Sequence, residues 1–411
     1  MLKTIKNILN SQLYALSLYA RQIAGTVVLL LIARYLSVYD YGLFSSYKNI
    51  AGFFFLFANL GFADYILVSS KANVNEVKQK IALFMSNAIT IALSIAICSM
   101  FFYLESHILF VLVVVRTFLD GTFFSLILPY FQATKKFNTI AVINIIYSIG
   151  IIFIAIISYI LKLSLIKFLL LNIILGVINF IQCSFYTKIN YLLVVSNIKH
   201  FIKKLDKSIF NYCLVEVAIL FYIQIQSLFV SIYAKKEDAA LYFAAFTIGS
   251  IIQLLVGAQK QKLIPEFIKS KTANVKKVLL NNISNISTLI TMILLFFIFL
   301  GKNVLVLFYG KEYYANAYLI LILFTISSYF SAIIVITGTY LTAIGKVYKK
   351  TPMQMEAIII AILSLLILRK EGIYGATWSY LLTSLYLAFR YIITVNKEIN
   401  SNTISNKGEQ S

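Results

Sequence analysis

Twelve long apolar runs follow one another along the chain, at about 12–33, 43–68, 81–103, 108–131, 140–161, 165–187, 208–232, 239–262, 280–300, 316–340, 353–369 and 372–394. A helix needs roughly 20 apolar residues to cross the hydrocarbon core of a bilayer, so each run predicts one crossing. The apolar–polar alternation that marks the strands of an outer-membrane barrel is absent. The prolines fit: Pro265 is expected in a loop and Pro352 at a first helical position, while Pro129 alone falls within a span, near its end.

Composition supports the same picture. Of 411 residues 61% are hydrophobic and 12% charged, and the mean hydropathy is +0.88. A soluble fold is excluded by these values. The fold class predicted is an all-α integral membrane protein of about twelve transmembrane helices. Lysine and arginine in short loops resist translocation, so their distribution sets the orientation. With the N-terminus inside, 23 basic residues fall on the cytoplasmic side, among them Lys3, Lys6, Lys199, Lys203, Lys204 and Lys207, against nine outside. Both termini are therefore expected in the cytoplasm. This bias accounts for most of the net charge of +21, and the Lys-rich loops carry no stacking platform, so nucleic acid is not expected as a partner. Lys3 and Lys6 precede an apolar run that holds Arg21 and lacks a small-x-small cleavage site, which reads as a retained helix rather than a signal peptide. Cys98, Cys183 and Cys213 are isolated in apolar surroundings and suggest neither a disulfide framework nor a metal site.

The longest basic connection near the middle divides six spans from six. The organisation expected is a first lobe at 1–190, a basic cytoplasmic loop at 191–207, a second lobe at 208–396 and a polar tail at 397–411. Local echoes suggest a repeat: Asp40-Tyr41-Gly42-Leu43-Phe44 matches Asp238-Ala239-Ala240-Leu241-Tyr242, and Tyr130-Phe131-Gln132-Ala133-Thr134-Lys135 matches Tyr340-Leu341-Thr342-Ala343-Ile344-Gly345-Lys346. Because six is even, the two halves begin on the same side, which predicts a parallel repeat about an axis along the membrane normal with a central cleft.

At Ala33-Arg34-Tyr35-Leu36, Tyr39-Asp40-Tyr41-Gly42-Leu43-Phe44, Asn59-Leu60-Gly61-Phe62-Ala63-Asp64, Pro265 and Gly372-Ile373-Tyr374-Gly375-Ala376, the chain resembles the polysaccharide or O-antigen flippases of the multidrug/oligosaccharidyl-lipid/polysaccharide exporter superfamily. The resemblance spans nearly the whole chain, although the sixth span lacks a counterpart of Gly372 to Ala376. It implies two six-helix lobes and alternating access that moves an undecaprenyl-diphosphate-linked oligosaccharide to the periplasmic leaflet. It further implies the bacterial inner membrane as location, membrane lipids as surroundings, and polymerase and chain-length components of the same pathway as partners.

Ionisable residues inside the spans carry the chemistry, since a charge near the bilayer centre costs roughly 2.5–3.5 kcal/mol even on the lenient insertion scale. Arg21, Arg116, Asp120 and Glu216 are the deepest; Lys48, Asp64, Glu356 and Arg390 lie nearer span ends. Arg21 shares a stripe with Tyr14, Ser17 and Gly25. One reading gives Arg21, Arg116 and Lys48 the task of holding a diphosphate and acidic sugars. The other is structural: Arg116 and Asp120, at i,i+4, neutralise each other, and Lys48 snorkels. Asp120, Glu216 and Asp64 can couple transport to protons or sodium, or serve only as charge partners. Asn172, Gly176, Asn179 and Cys183 share one face of the sixth span, where the asparagines can meet sugar hydroxyls or bind helices together.

No cofactor is expected, and no enzyme. External loops are short, His107 and His200 are far apart in topology, and no phosphate loop or HExxH motif is present. The rival readings are a drug or metabolite antiporter of the same superfamily and a membrane-embedded polysaccharide polymerase or other glycan-modifying enzyme.

Overall fold

The computed structural model describes residues 2–59, 74–101, 104–122, 126–134, 136–188, 194, 207–269 and 272–408. Among them there is no strand, and the α-helices are α1 (Leu2–Tyr35), α2 (Val38–Asn59), α3 (Val74–Cys98), α4 (His107–Thr122), α5 (Leu128–Ala133), α6 (Phe137–Ile160), α7 (Leu165–Thr187), α8 (Lys207–Tyr233), α9 (Lys236–Lys269), α10 (Thr272–Tyr309), α11 (Tyr318–Ala343), α12 (Lys350–Leu368) and α13 (Gly372–Gly408). Seven stretches of the described residues are long and apolar enough to cross a membrane, and the last of these, Val347–Asn400, contains both α12 and α13. The chain is an all-α, multi-pass membrane protein. In hydrocarbon every backbone polar group has to be satisfied within the element, which is why the apolar runs are helices. Hydroxyls obey the same rule: Ser148, Thr325, Ser327, Ser328 and Thr383 each donate to the carbonyl four residues back.

Two sequence expectations are corrected. Pro265 lies inside α9, which runs on to Lys269 instead of ending before a loop; the missing proline N–H removes one hydrogen bond close to the helix end. Pro352 is the third residue of α12, still within the first turn, where N–H groups have no intrahelical partner in any case. Of the fourth expected span, α4 and α5 are described, and residues 123–125 between them lie outside the described residues.

The chain divides into two compact units, Met1–Val217 and Ala218–Ser411, with the division inside α8. In the first unit α1 packs on α6, α6 on α7, α7 on α4, α4 on α2 and α2 on α1, closing a circuit of five helices; α3 lies against α2 and α4. In the second unit α9 packs on α11, α11 on α13 and α13 on α12, with α10 against α9 and α11. Five pairings thus recur: α2–α4 as α9–α11, α4–α7 as α11–α13, α6–α7 as α12–α13, α3–α4 as α10–α11 and α2–α3 as α9–α10.

The echoed motifs occupy equivalent places. Asp40 and Asp238 both sit in the first turn of a helix, α2 and α9, where a carboxylate favours the helix dipole. The Asp40 backbone N–H donates to Ser37 Oγ at 3.0 Å, and the Ser37 hydroxyl donates to the Asp40 carboxylate at 2.6 Å. At the other motif the two chain reversals close alike. Lys136 N donates to Phe131 O, and Lys346 N to Leu341 O, both at 2.9 Å, with Phe131 and Leu341 fully buried.

Beyond that reversal, Lys346 and Lys349 both pair with the buried carboxylate of Glu398 on α13. The hydrogen bond to Glu398 holds the Lys346 ammonium above its ordinary pKa. This clamp ties the far part of α13 to the turn between α11 and α12.

Gly372 begins α13 at φ 56°, in the left-handed region that glycine enters without a Cβ clash. At Gly375 the constraint is proximity: a Cβ there would lie 2.1 Å from the carbonyl oxygen of Leu368. Because that neighbour is backbone, it cannot swing aside. Gly375→Ala is expected to lower the thermal stability of the detergent-solubilised protein by about 1–3 kcal/mol. Gly25→Ala, whose Cβ meets nothing within 4 Å, is expected to leave the melting temperature unchanged or slightly raised.

Candidate functional site

All five helices of the first unit's closed circuit contribute to one cluster of charges. On α1, Ser17, Arg21, Ala24, Val28 and Ile32 recur at helical spacing and are all buried, so the register that packs α1 on α6 takes Arg21 inside with the apolar residues. Arg21 retains only 4% of its exposure. On α6, Asn144, Tyr147, Ser148, Ile151 and Ala155 form the matching buried stripe.

The two stripes meet in a polar contact. Arg21 Nη1 donates to Asn144 Oδ1 at 3.2 Å, and Asn144 Nδ2 donates to Ser17 Oγ at 3.3 Å. The Arg21 guanidinium carbon stands 4.0 Å from the centre of the Tyr147 ring, within range of the ring's negative face. From α4, Asp120 Oδ1 lies 2.8 Å from Arg116 Nη1 and 3.6 Å from Arg21 Nη2. The Tyr147 hydroxyl links the set, donating to Asp120 Oδ1 at 2.9 Å and accepting from Arg116 Nη2.

Two arginines therefore converge on one carboxylate and one phenol. Lys48 on α2 is exposed, yet close enough to be attracted by Asp120 and repelled by Arg116. Among the described residues three cations face one anion, and the Asp120 side chain is 37% exposed while Arg21 is almost wholly enclosed. The buried guanidiniums thus share a counter-charge whose carboxylate lies partly at the surface of the unit.

Helix α7 supplies the remaining wall. Gly176 lets the Arg116 guanidinium lie against the helix, since a Cβ there would stand 3.3 Å from Nη1. Asn172 and Asn179 flank it about one turn to either side, both buried; each has a side-chain oxygen with no hydrogen-bond partner among the described residues. The Asn172 amide donates to Phe168 O at 2.9 Å. Cys183, free and buried on the same face, is within electrostatic range of Arg21.

The structure thus gathers Arg21, Arg116, Asp120, Lys48, Asn172 and Asn179 in one unit. Arg116 and Asp120 do form the i,i+4 pair, but Arg21 and Tyr147 share its carboxylate. Asp64 lies outside the described residues, as does the side chain of Glu216, although its backbone belongs to α8. Glu356 and Arg390 stand apart in the second unit, paired through two hydrogen bonds of 2.7 Å, with Tyr386 donating to the same carboxylate at 2.8 Å. Asn144 and Tyr147 were missed from the sequence. Their signal is weak: an Asn-x-x-Tyr-Ser step in a helix otherwise rich in isoleucine.

Comparison with known proteins places this geometry. The family model described as polysaccharide biosynthesis protein matches residues 9–271. The fold is similar to that of a multidrug resistance MATE family transporter of the MOP superfamily, solved in an inward-facing conformation, with a TM-score of 0.70 at 11% identity over 93% of this chain and 95% of the other. The lipid II flippase MurJ in an inward closed conformation gives 0.68 at 19% identity, covering 93% and 87% of the two chains. A MOP superfamily transporter from Pyrococcus furiosus, described as having a binding pocket of reversed polarity, gives 0.66 at 13% identity over 96% of each chain. A search of curated proteins returned no match.

Asp120→Ala removes the carboxylate that both arginines face, and the expected loss of folding stability is about 3–5 kcal/mol. Tyr147→Phe keeps the ring beneath Arg21 and removes only the shared hydroxyl, for about 1 kcal/mol. Thermal unfolding of the two purified variants should rank them in that order.

Proposed function

The chain belongs to the polysaccharide biosynthesis protein family, and from that premise we propose that it is a flippase carrying an undecaprenyl-diphosphate-linked oligosaccharide repeat unit across the bacterial inner membrane. The repeat would be destined for O-antigen, capsule or a similar surface polymer. The observation that carries the proposal is the convergence of Arg21 and Arg116 on Asp120 and Tyr147 inside an apolar helical unit.

A diphosphate brings multiple negative charges and a ring of acceptor oxygens, and guanidinium forks match that pattern bidentately. In the resting cluster Asp120 serves as the anion. The incoming diphosphate displaces it from Arg116 and Arg21, Tyr147 turns its hydroxyl to the new acceptor, and Lys48 adds a third cation. Release on the far side returns Asp120 to the arginines. The cost of burying the cations is met in both states, so exchange of one anion for another proceeds without exposing bare charge to hydrocarbon. Asp120, freed during the exchange, is where a proton or sodium ion would couple the cycle to a gradient. Asn172 and Asn179 offer acceptor oxygens to sugar hydroxyls.

In this reading the chain crosses the membrane twelve times with both termini in the cytoplasm, and its two lobes alternate access. It makes and breaks no covalent bond. A polymerase and a chain-length component receive the unit on the periplasmic side.

Deleting the chain from a polymer-producing host should abolish surface polysaccharide and accumulate complete, unpolymerised lipid-linked repeats on the cytoplasmic side. Normal glycan with altered dye or drug resistance would instead favour an antiporter, and translocated but unpolymerised repeats a polymerase. Arg21→Ala should abolish export at near-normal protein abundance. Arg21→Lys, which keeps charge but loses the fork, should restore export only in part; full export by Arg21→Ala would remove this cluster from the mechanism.

A further inference from the structure

The second unit has a cavity of about 290 Å³, room for about ten waters at ~30 Å³ each. Its walls come from α8, α9, α11, α12 and α13. Most of the lining is apolar, and Tyr222, Tyr380 and Tyr391 contribute aromatic rings to it. Lys350 also reaches the wall, but it is engaged, with Thr342 Oγ1 at 2.5 Å among its partners. The neutral polar groups carry the chemistry.

Three of these groups have bonding capacity to spare. Gln354 is 2% exposed; its Nε2 donates to the Tyr391 hydroxyl at 2.9 Å, while its Oε1 is buried without a hydrogen-bond partner among the described residues. The Tyr391 hydroxyl, having accepted that bond, still has its own proton to give. Along α11 the hydroxyls of Thr325, Ser327 and Ser328 turn back onto the helix, each donating to the carbonyl four residues before it. Ser331 departs from that pattern: its Oγ is buried and has no hydrogen-bond partner among the described residues. One bare acceptor and two hydroxyls, from three helices, thus belong to the lining of a single cavity. A buried acceptor left unmet costs about 1–3 kcal/mol, which a donor on a bound molecule removes.

We infer that this cavity binds one uncharged pyranose ring of a glycan. A pyranose carries C–H groups on its faces and hydroxyls around its rim, so the tyrosine rings meet the faces. A rim hydroxyl donates to Gln354 Oε1, and rim oxygens accept from Ser331 and Tyr391. Hydroxyls both give and take, which matches a mixed set of acceptor and donors; a carboxylate only accepts and sets its charge against the bare Gln354 oxygen in an apolar surround. An apolar ring without hydroxyls leaves all three groups as they were. The volume suits one ring, at the small end of ligand pockets. The inference rests on the flippase reading for choosing a glycan over other polyols, and it gives the second unit a neutral-sugar subsite of its own.

The test is a saturation-transfer NMR titration of the full chain in lipid nanodiscs with the methyl glycosides of glucose, galactose and N-acetylglucosamine. At least one should bind saturably, and glucuronate and cyclohexanol should each bind at least about tenfold more weakly than it does. Ser331→Ala should weaken that glycoside severalfold while leaving the melting temperature unchanged or raised, because the hydroxyl it removes has no protein partner. Gln354→Leu, which removes the bare acceptor, should weaken it at least about tenfold. Arg21→Ala, in the first unit, should leave it unchanged. The inference is overturned if none of the three glycosides binds saturably, if glucuronate or cyclohexanol binds equally well, or if Ser331→Ala leaves the affinity intact. Those failures leave the flippase proposal standing, because that is read by export in Arg21→Ala; retained export there with the glycoside still bound would remove the diphosphate subsite alone.

Discussion

A guanidinium taken from water into an apolar helical interior needs a counter-charge and directed acceptors, and the first unit is arranged around meeting that need. Two arginines share one aspartate and one tyrosine because a single carboxylate has enough lone pairs for both, and the aromatic ring covers one face of the Arg21 guanidinium. The arrangement is costly to break and cheap to exchange. Removing Asp120 leaves like charges together, whereas substituting another anion for it leaves the electrostatics nearly as they were. Under the proposed function, a site for a charged headgroup and a stable resting state would come from the same four side chains.

The internal repeat does not repeat the chemistry of its interior: the second unit has a cavity of about 290 Å³ with Tyr222, Lys350, Gln354 and Tyr391 among the residues that line it. Matching helix starts at Asp40 and Asp238 and matching reversals after Phe131 and Leu341 fix the same scaffold twice. What the scaffold encloses has diverged: charge in one unit, tyrosine, glutamine and lysine in the other.

Most of the architecture was legible because lipid imposes strong rules: long apolar runs become helices, and a helix hidden from lipid on one side shows a polar or small-residue stripe there. Arg21, Arg116 and Asp120 stood out because charge in such runs is rare. Asn144 and Tyr147 did not, since neutral polar residues are inexpensive enough in a buried helix to escape notice; only the docking of α6 on α1 reveals that they complete the site. Pro265 misled for a local reason, as a proline near a helix end costs one hydrogen bond and not the helix. The second cavity was illegible in principle. Its residues come from five helices, and no spacing along the chain brings Tyr222, Ser331, Gln354 and Tyr391 together.

At 37 residues α13 measures about 55 Å, well beyond the ~30 Å of hydrocarbon. Far along it, Glu398 is held by Lys346 and Lys349, and the next residue, Lys350, begins α12. A helix longer than the slab it has to cross is thereby stapled to a neighbouring bend, and its overhang shares the fate of that bend.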